Sequence, residues 1–240
     1  MAAVEQAESV REKPAARLRR AAAAQRAEGG AGNELVLVAA TAVLKNLLEN
    51  GMVDWGVSAH VGGDASVTAL SPDRVQTGED EKPQLNLFLY KVQPRGLAPL
   101  SRYTTESSGD GHGGRRLGSA PALDLFYLVT AYGAQDLQTE VLLGYAMEML
   151  QENGLLENDE VRKILATISS VAGGRVVLPG LAALASSALM ERIEEIKIST
   201  QTPDPEEIAR LWSSLQARYR PFLTYKVAVA LGGPGGQQER

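Results

Sequence analysis

Several groups of residues in this 240-residue chain have types and spacings that chemistry could use. Gly109-Asp110-Gly111-His112-Gly113-Gly114 fits the pattern G-x-G-x-x-G. In a dinucleotide site such glycines let the backbone approach a pyrophosphate, with a strand before them and a helix N-terminus after them. Here the polar residues 104–108 precede the glycines, and Arg115 and Arg116 follow ahead of a strand-like run, so a loop is expected instead. His60 and His112 are the only histidines and cysteine is absent, too few ligands for an ordinary zinc site. The acidic trio Glu79, Asp80 and Glu81 lacks the spaced oxygen ligands of a calcium loop and reads as solvated. No G-x-S-x-G elbow and no P-loop occurs. No catalytic residue, metal ligand or cofactor is therefore expected. Arg115 and Arg116 remain as a paired charge in that loop, candidates for contact with acidic groups on a partner.

The elements that would carry these groups are led by residues 121–133, PALDLFYLVTAYG. Leu123, Leu125, Tyr127, Val129 and Ala131 alternate with Asp124, Phe126, Leu128, Thr130 and Tyr132. Both faces are largely apolar, which predicts a central strand covered on both sides. QLNLFLYKV at 84–92 is a second strand, closed by Pro94 and Gly96. Asn33 starts a helix whose wide apolar side includes Val36, Ala39, Ala40, Val43, Leu44 and Leu47, with Asn50-Gly51 as its stop. Residues 53–70 read as short strands about a Gly62-Gly63-Asp64 turn, with His60 at the surface. Asp136 is expected to cap a helix to about Gln151, with Leu137, Val141, Leu142, Tyr145, Met149 and Leu150 on one face. Asn158 caps a further helix to about Ile168. Residues 176–178 suggest a strand and 181–190 a helix. Ile193, Ile196 and Ile198 suggest another strand, although Glu194-Glu195 breaks the alternation. Asp204-Pro205-Glu206-Glu207 is a helix start, followed by the stripe Ile208, Leu211, Trp212 and Leu215, with Trp212 expected in the core. Residues 222–231 form a last strand.

The fold class expected is α+β: a single domain over 33–231, a mixed sheet flanked by helices. Residues 1–32 form a flexible or helical N-terminal arm rich in Ala, Arg and Glu, and 232–240 a polar tail. A net charge of −5 argues against sequence-independent DNA binding. No signal peptide is visible, and the apolar run at 35–44 falls short of the ~20 residues of a spanning helix. Synthesis in the cytoplasm without direct membrane insertion is the expectation.

Residues 84–92, 121–132 and 142–150 (LLGYAMEML), then Leu211-Trp212, Tyr219-Arg220-Pro221 and Tyr225-Lys226-Val227, occur in this order. Together they resemble the domain found in the cap protein of phage-tail-like contractile injection systems, the sixteenth gene product of virulence-cassette and antifeeding-prophage clusters. The resemblance spans about 33–231 and implies a tail-terminator-like fold without enzymatic activity. It also implies a homo-oligomeric ring, six copies in relatives, seated on the inner tube and contractile sheath at one end of the particle. Relatives often carry a histidine near the start of the helix after the central strand, where this chain has Gln138 and Thr139. The arm at 1–32 lies outside the family pattern. Other readings are a terminator or connector of a contractile phage tail, a nucleotide-binding enzyme using Gly109 to Gly114, and a membrane adaptor acting through the arginine-rich N-terminus, against which the weak hydrophobicity of that segment argues.

Overall fold

The computed structural model describes residues 33–78, 81–95, 122–172 and 192–231. Its strands are β1 (Ser66–Thr68), β2 (Gln84–Arg95), β3 (Ala122–Tyr132), β4 (Leu155–Glu157), β5 (Ile193–Thr200) and β6 (Phe222–Leu231). They form one sheet in the order β1-β2-β3-β6-β5-β4. β1 runs parallel to β2, and every other pair is antiparallel. The helices are α1 (Asn33–Asp54), α2 (Val57–His60), α3 (Gln138–Glu152), α4 (Asn158–Ala172) and α5 (Pro205–Leu215). This is the mixed α/β single domain expected.

The alternation in β3 does what its sequence requires. Leu123, Leu125, Tyr127, Val129 and Ala131 are buried in the main core with Val36, Val43, Leu142, Leu165 and Val227. Leu128 points the other way and packs with Ile208 and Trp212 of α5, which confirms Trp212 as a core residue. α1, α3 and α4 thus cover one face of the sheet, and α5 covers part of the other. Tyr127 is fully buried, and its hydroxyl meets Thr41 Oγ1 at 2.8 Å, tying α1 to the middle of β3. Burial pushes that phenol well above its ordinary range, against a smaller opposing effect of Thr41. Asp204 accepts a bond from Glu206 N at 3.0 Å and Pro205 opens α5, as its sequence predicts.

Elsewhere the expectations need correction. Gly51 does not stop α1, which runs on to Asp54. A Cβ at Gly51 would sit 2.2 Å from Met149 Cε and 2.6 Å from Tyr145 Oη, so this glycine marks the crossing of α1 over α3. The helix breaks at Gly56 instead, where φ is 61°. As a result Leu35–Asp54 is long and apolar enough to cross a membrane by length and composition, while its buried side forms part of the core. Residues 57–60 are helical rather than extended: Val57 and Val61 are buried four residues apart, one face of a single turn, and His60 is exposed. Pro94 lies within β2 opposite Leu123, not beyond it. β1 pairs only with residues 84–86, so Pro94 needs no donor on that side. In β5 the ladder shifts between Ile193 and Glu195, and this bulge lets both Ile193 and Ile196 face the core. β4 has no counterpart in the sequence reading, and α4 extends to Ala172. The elements expected at 176–178 and 181–190 lie outside the described residues.

Candidate assembly surface

Two polar clusters brace the sheet. Glu81 is not the solvated residue its sequence suggests: its side chain is 5% exposed and takes a two-pronged bond from Arg220. Arg220 Nη1 donates to Oε1 at 2.7 Å and Nη2 to Oε2 at 2.6 Å. Gly133 N donates to Oε1 at 2.8 Å, and the guanidinium stacks 4.6 Å from the Tyr132 ring centroid. One carboxylate therefore joins the segment before β2, the end of β3 and the turn before β6. Glu79 and Asp80 lie outside the described residues. The second cluster is at the opposite end of β3. Asp124 Oδ2 pairs with Lys226 Nζ at 2.9 Å; Arg95 Nε is 2.9 Å from Oδ1, close enough to pair in charge without being aligned to bond it. Burial pushes the Asp124 carboxyl up, but Arg95 and Lys226 outweigh it and hold the group below its ordinary value of 3.8. In both clusters the carboxylate is paired with a basic side chain. Both read as cross-strand braces.

Gln138 and the turn before α3 are built differently from the expectation. Asp136 does not cap α3. The capping position is Leu137, held at φ 67° with no side-chain bond. Gln138 instead turns inward, donating from Nε2 to Val61 O at 2.6 Å and accepting from Gln135 N at 2.9 Å. It clamps the end of α2 to the β3–α3 turn. Its inward position throws Leu137 outward, 69% exposed, and Val141 follows at 38%. Only part of the expected α3 face is buried: Leu142, Tyr145, Met149 and Leu150.

The outer side of α3 is thus apolar and acidic. Leu137, Val141 and Met147 (48% exposed) stand on it with Glu140, Glu148 and Glu152, and Leu155 (51% exposed) follows just beyond the helix. α3 contains no lysine or arginine. Gly144, Met147, Glu148, Gln151 and Glu152 line an open depression. An added Cβ at Gly144 would meet nothing within 4 Å. A second, smaller aromatic cluster lies beside α5, where Tyr219, 70% exposed, rests on Trp212 and Phe222 with ring centroids 5.5 and 5.8 Å away.

Among the described residues no three His, Asp or Glu side chains are grouped to hold a metal. Arg115, Arg116, His112 and the glycines 109–114 lie outside the described residues. The sequence missed α3's outward face because its apolar residues fit an inward stripe equally well. The signal that could have found it is Gln138 at a core position, which rotates the buried stripe away from Leu137.

Fold and surface together define a mixed α/β module braced by ion pairs, with an outward helix face as its most distinctive described feature. The chain belongs to the Pvc16 N-terminal domain family, whose model matches residues 39–239. Among solved structures it is similar to the sheath/tube terminator of an extracellular contractile injection system, PVC, in the extended state. There the identity is 17%, the TM-score 0.37, and the match covers 79% of this chain and 57% of that one. It is also similar to the tube-terminating cap of the anti-feeding prophage, at 18% identity and TM-score 0.38, covering 79% of this chain and 56% of that one. The chain thus matches little more than half the length of each. No curated protein matches it.

Proposed function

We propose that this chain is a structural, non-enzymatic cap. It terminates the inner tube and contractile sheath at one end of an extracellular contractile injection system, as one subunit of an oligomeric ring of six copies. The observation that carries this reading is membership of the Pvc16 N-terminal domain family over 39–239, almost the whole described fold. The braced sheet suits it physically. A terminator must offer one rigid face to a polymer end and leave the other unable to propagate, and a head-to-tail contact that closes on itself does this. The division of labour proposed is a body at 33–231, an arm at 1–32 and a tail at 232–240. The chain is made in the cytoplasm and incorporated at the particle end. Arg115 and Arg116 contact acidic groups of an adjacent subunit. The test is to place a small epitope tag after Arg240 and label assembled particles with gold-conjugated antibody. Label at one tip only is expected; label along the shaft, or none on intact particles, would refute the reading.

A further inference from the structure

We infer that the sheet continues from one copy of this chain into the next: the free edge of β4 pairs, parallel and head to tail, with the free edge of β2 in a second copy. The inference rests on the ring proposed above and names the surfaces that close it. β1 pairs with β2 only at residues 84–86, while β2 runs on to Arg95. Among the described residues no strand pairs with 87–95 on that side. Thr68 Oγ1, on β1, donates to Leu85 O at 3.4 Å, so Leu85 turns its backbone groups to this edge. Alternation gives Leu87 and Leu89 the same direction, and the bulge after Leu89 shifts it to Val92. Val92 stands opposite Leu125, on the core side of the sheet, yet is 41% exposed. Lys91 and the four residues after it in β2 are all exposed. At the far end of the sheet β4 pairs with β5 alone. Ile198 N donates to Gly154 O at 2.8 Å, so Gly154 faces β5 and Leu155 turns its backbone groups outward. Leu155 and Glu157 are exposed, and Leu156 lies in the main core.

Two features select a second copy as the occupant. The first is direction. Four antiparallel steps separate β2 from β4, so the two strands run the same way. Copies turned about an axis along the strands keep both strand direction and helix side. β4 of one copy then meets β2 of the next as a parallel pair, the same relation that β1 has to β2. Leu156 falls beside Val92 on the helix-covered face, and Leu155 O accepts from Val92 N. The second feature is charge. In that register Glu157 falls beside Gln93, between Lys91 and Arg95. These two pair with Glu207 and Asp124 but remain 44% and 51% exposed. Asp159 and Glu160 follow Glu157 at the start of α4. Glu160 already accepts from Glu157 N at 3.1 Å, so the ladder ends at that residue. A basic edge and an acidic edge on one sheet favour head-to-tail pairing and disfavour pairing of like edges.

Cysteine is absent, so introduced thiols report alone. The full-length chain carrying both Gln93→Cys and Glu157→Cys, two exposed positions, is oxidised and resolved on a non-reducing gel. Within one chain these positions lie four strand spacings apart, roughly 19 Å, too far for a disulfide to close. A ladder of chains joined from 93 to 157, identified by peptide mass, is expected. E157K should weaken self-association about tenfold in sedimentation, by exchanging attraction to Lys91 and Arg95 for repulsion. Q93K should tighten the wild type about threefold and weaken E157K further, a reversal of sign that an effect on folding alone would not produce. Absence of the 93–157 link while circular dichroism stays native would overturn the inference, as when another segment of the same chain fills the edge. Links from 93 to 93 or 157 to 157 alone, the marks of a two-fold pairing, would overturn it too. So would a Q93K effect of the same sign in both backgrounds. A normal 93–157 link with tip labelling absent would count against the cap reading alone. Tip labelling without that link would count against the edge pairing alone.

Discussion

Replacing Glu81 by glutamine should show how far one carboxylate holds the sheet ends together. The wild-type carboxylate receives three donors, two from Arg220 and one from Gly133 N, at 2.6–2.8 Å. Glutamine keeps the shape but removes the charge and turns an NH2 donor toward donors already present. Arg220 then keeps its charge without a counter-charge at a site only 20% exposed. Breaking a fully buried pair costs about 3–5 kcal/mol. The residual exposure of Arg220 lets water recover part of this, so about 2–3 kcal/mol is expected. In thermal unfolding that corresponds to a loss of roughly 5–10 °C for a domain of this size. Urea unfolding should show a lower midpoint with an unchanged slope. E81Q/R220M removes both partners and should cost less than the sum of the two single changes by about 1–3 kcal/mol. An E81Q midpoint within about 0.5 kcal/mol of wild type, or strict additivity in the double variant, would refute the brace.

Gly51→Ala and Gly144→Ala should have opposite signs. At Gly51 the new methyl strikes Met149 and the bonded Tyr145 hydroxyl, so overpacking of about 1–3 kcal/mol exceeds the propensity gain of up to about 1 kcal/mol. At Gly144 only that gain of about 1 kcal/mol remains, and chemical denaturation of both variants checks the pair. Asn86, fully buried, accepts from Leu70 N and Thr68 Oγ1 and donates to Leu70 O. Asn86→Leu should cost about 2–4 kcal/mol by stranding those groups, and hydrogen exchange at Leu70 should rise. Asp124, whose folded-state carboxyl sits below 3.8, adds stability that is complete above that value and is lost as pH falls through the lower folded value. The stability gap between wild type and D124N should therefore be constant near neutrality and shrink below about pH 4. A gap that widens in acid would contradict the pairing with Arg95 and Lys226.

What could be read from sequence was whatever carries its signal locally. The alternation in β3 and the Asp204-Pro205 start of α5 involve residues within a few positions of one another, and both formed as expected. Gly51 and Glu81 are not legible locally because what decides them is distant in the chain. Asn50-Gly51 has the chemistry of a helix stop, but Tyr145 and Met149 give the glycine another reason to be there. Glu81 looks like the end of an acidic loop until Arg220, 139 residues away, is brought beside it. Glu194-Glu195 looked like a broken strand because a bulge restores the inward phase only when β6 supplies the partner. The family was legible from the order of 84–92, 121–132 and 142–150, and the match over 39–239 bears it out. The outward turn of Leu137 was not, since it depends on Gln138 reaching Val61.

As proposed, this chain ends a polymer. That role is read in the length distribution of sheathed tubes in electron micrographs, with the gene present and deleted. Particles of one length with a disc at one tip are expected when the chain is present, and tubes of scattered length with open, disc-free ends when it is absent. Uniform tubes with normal ends after deletion would contradict it.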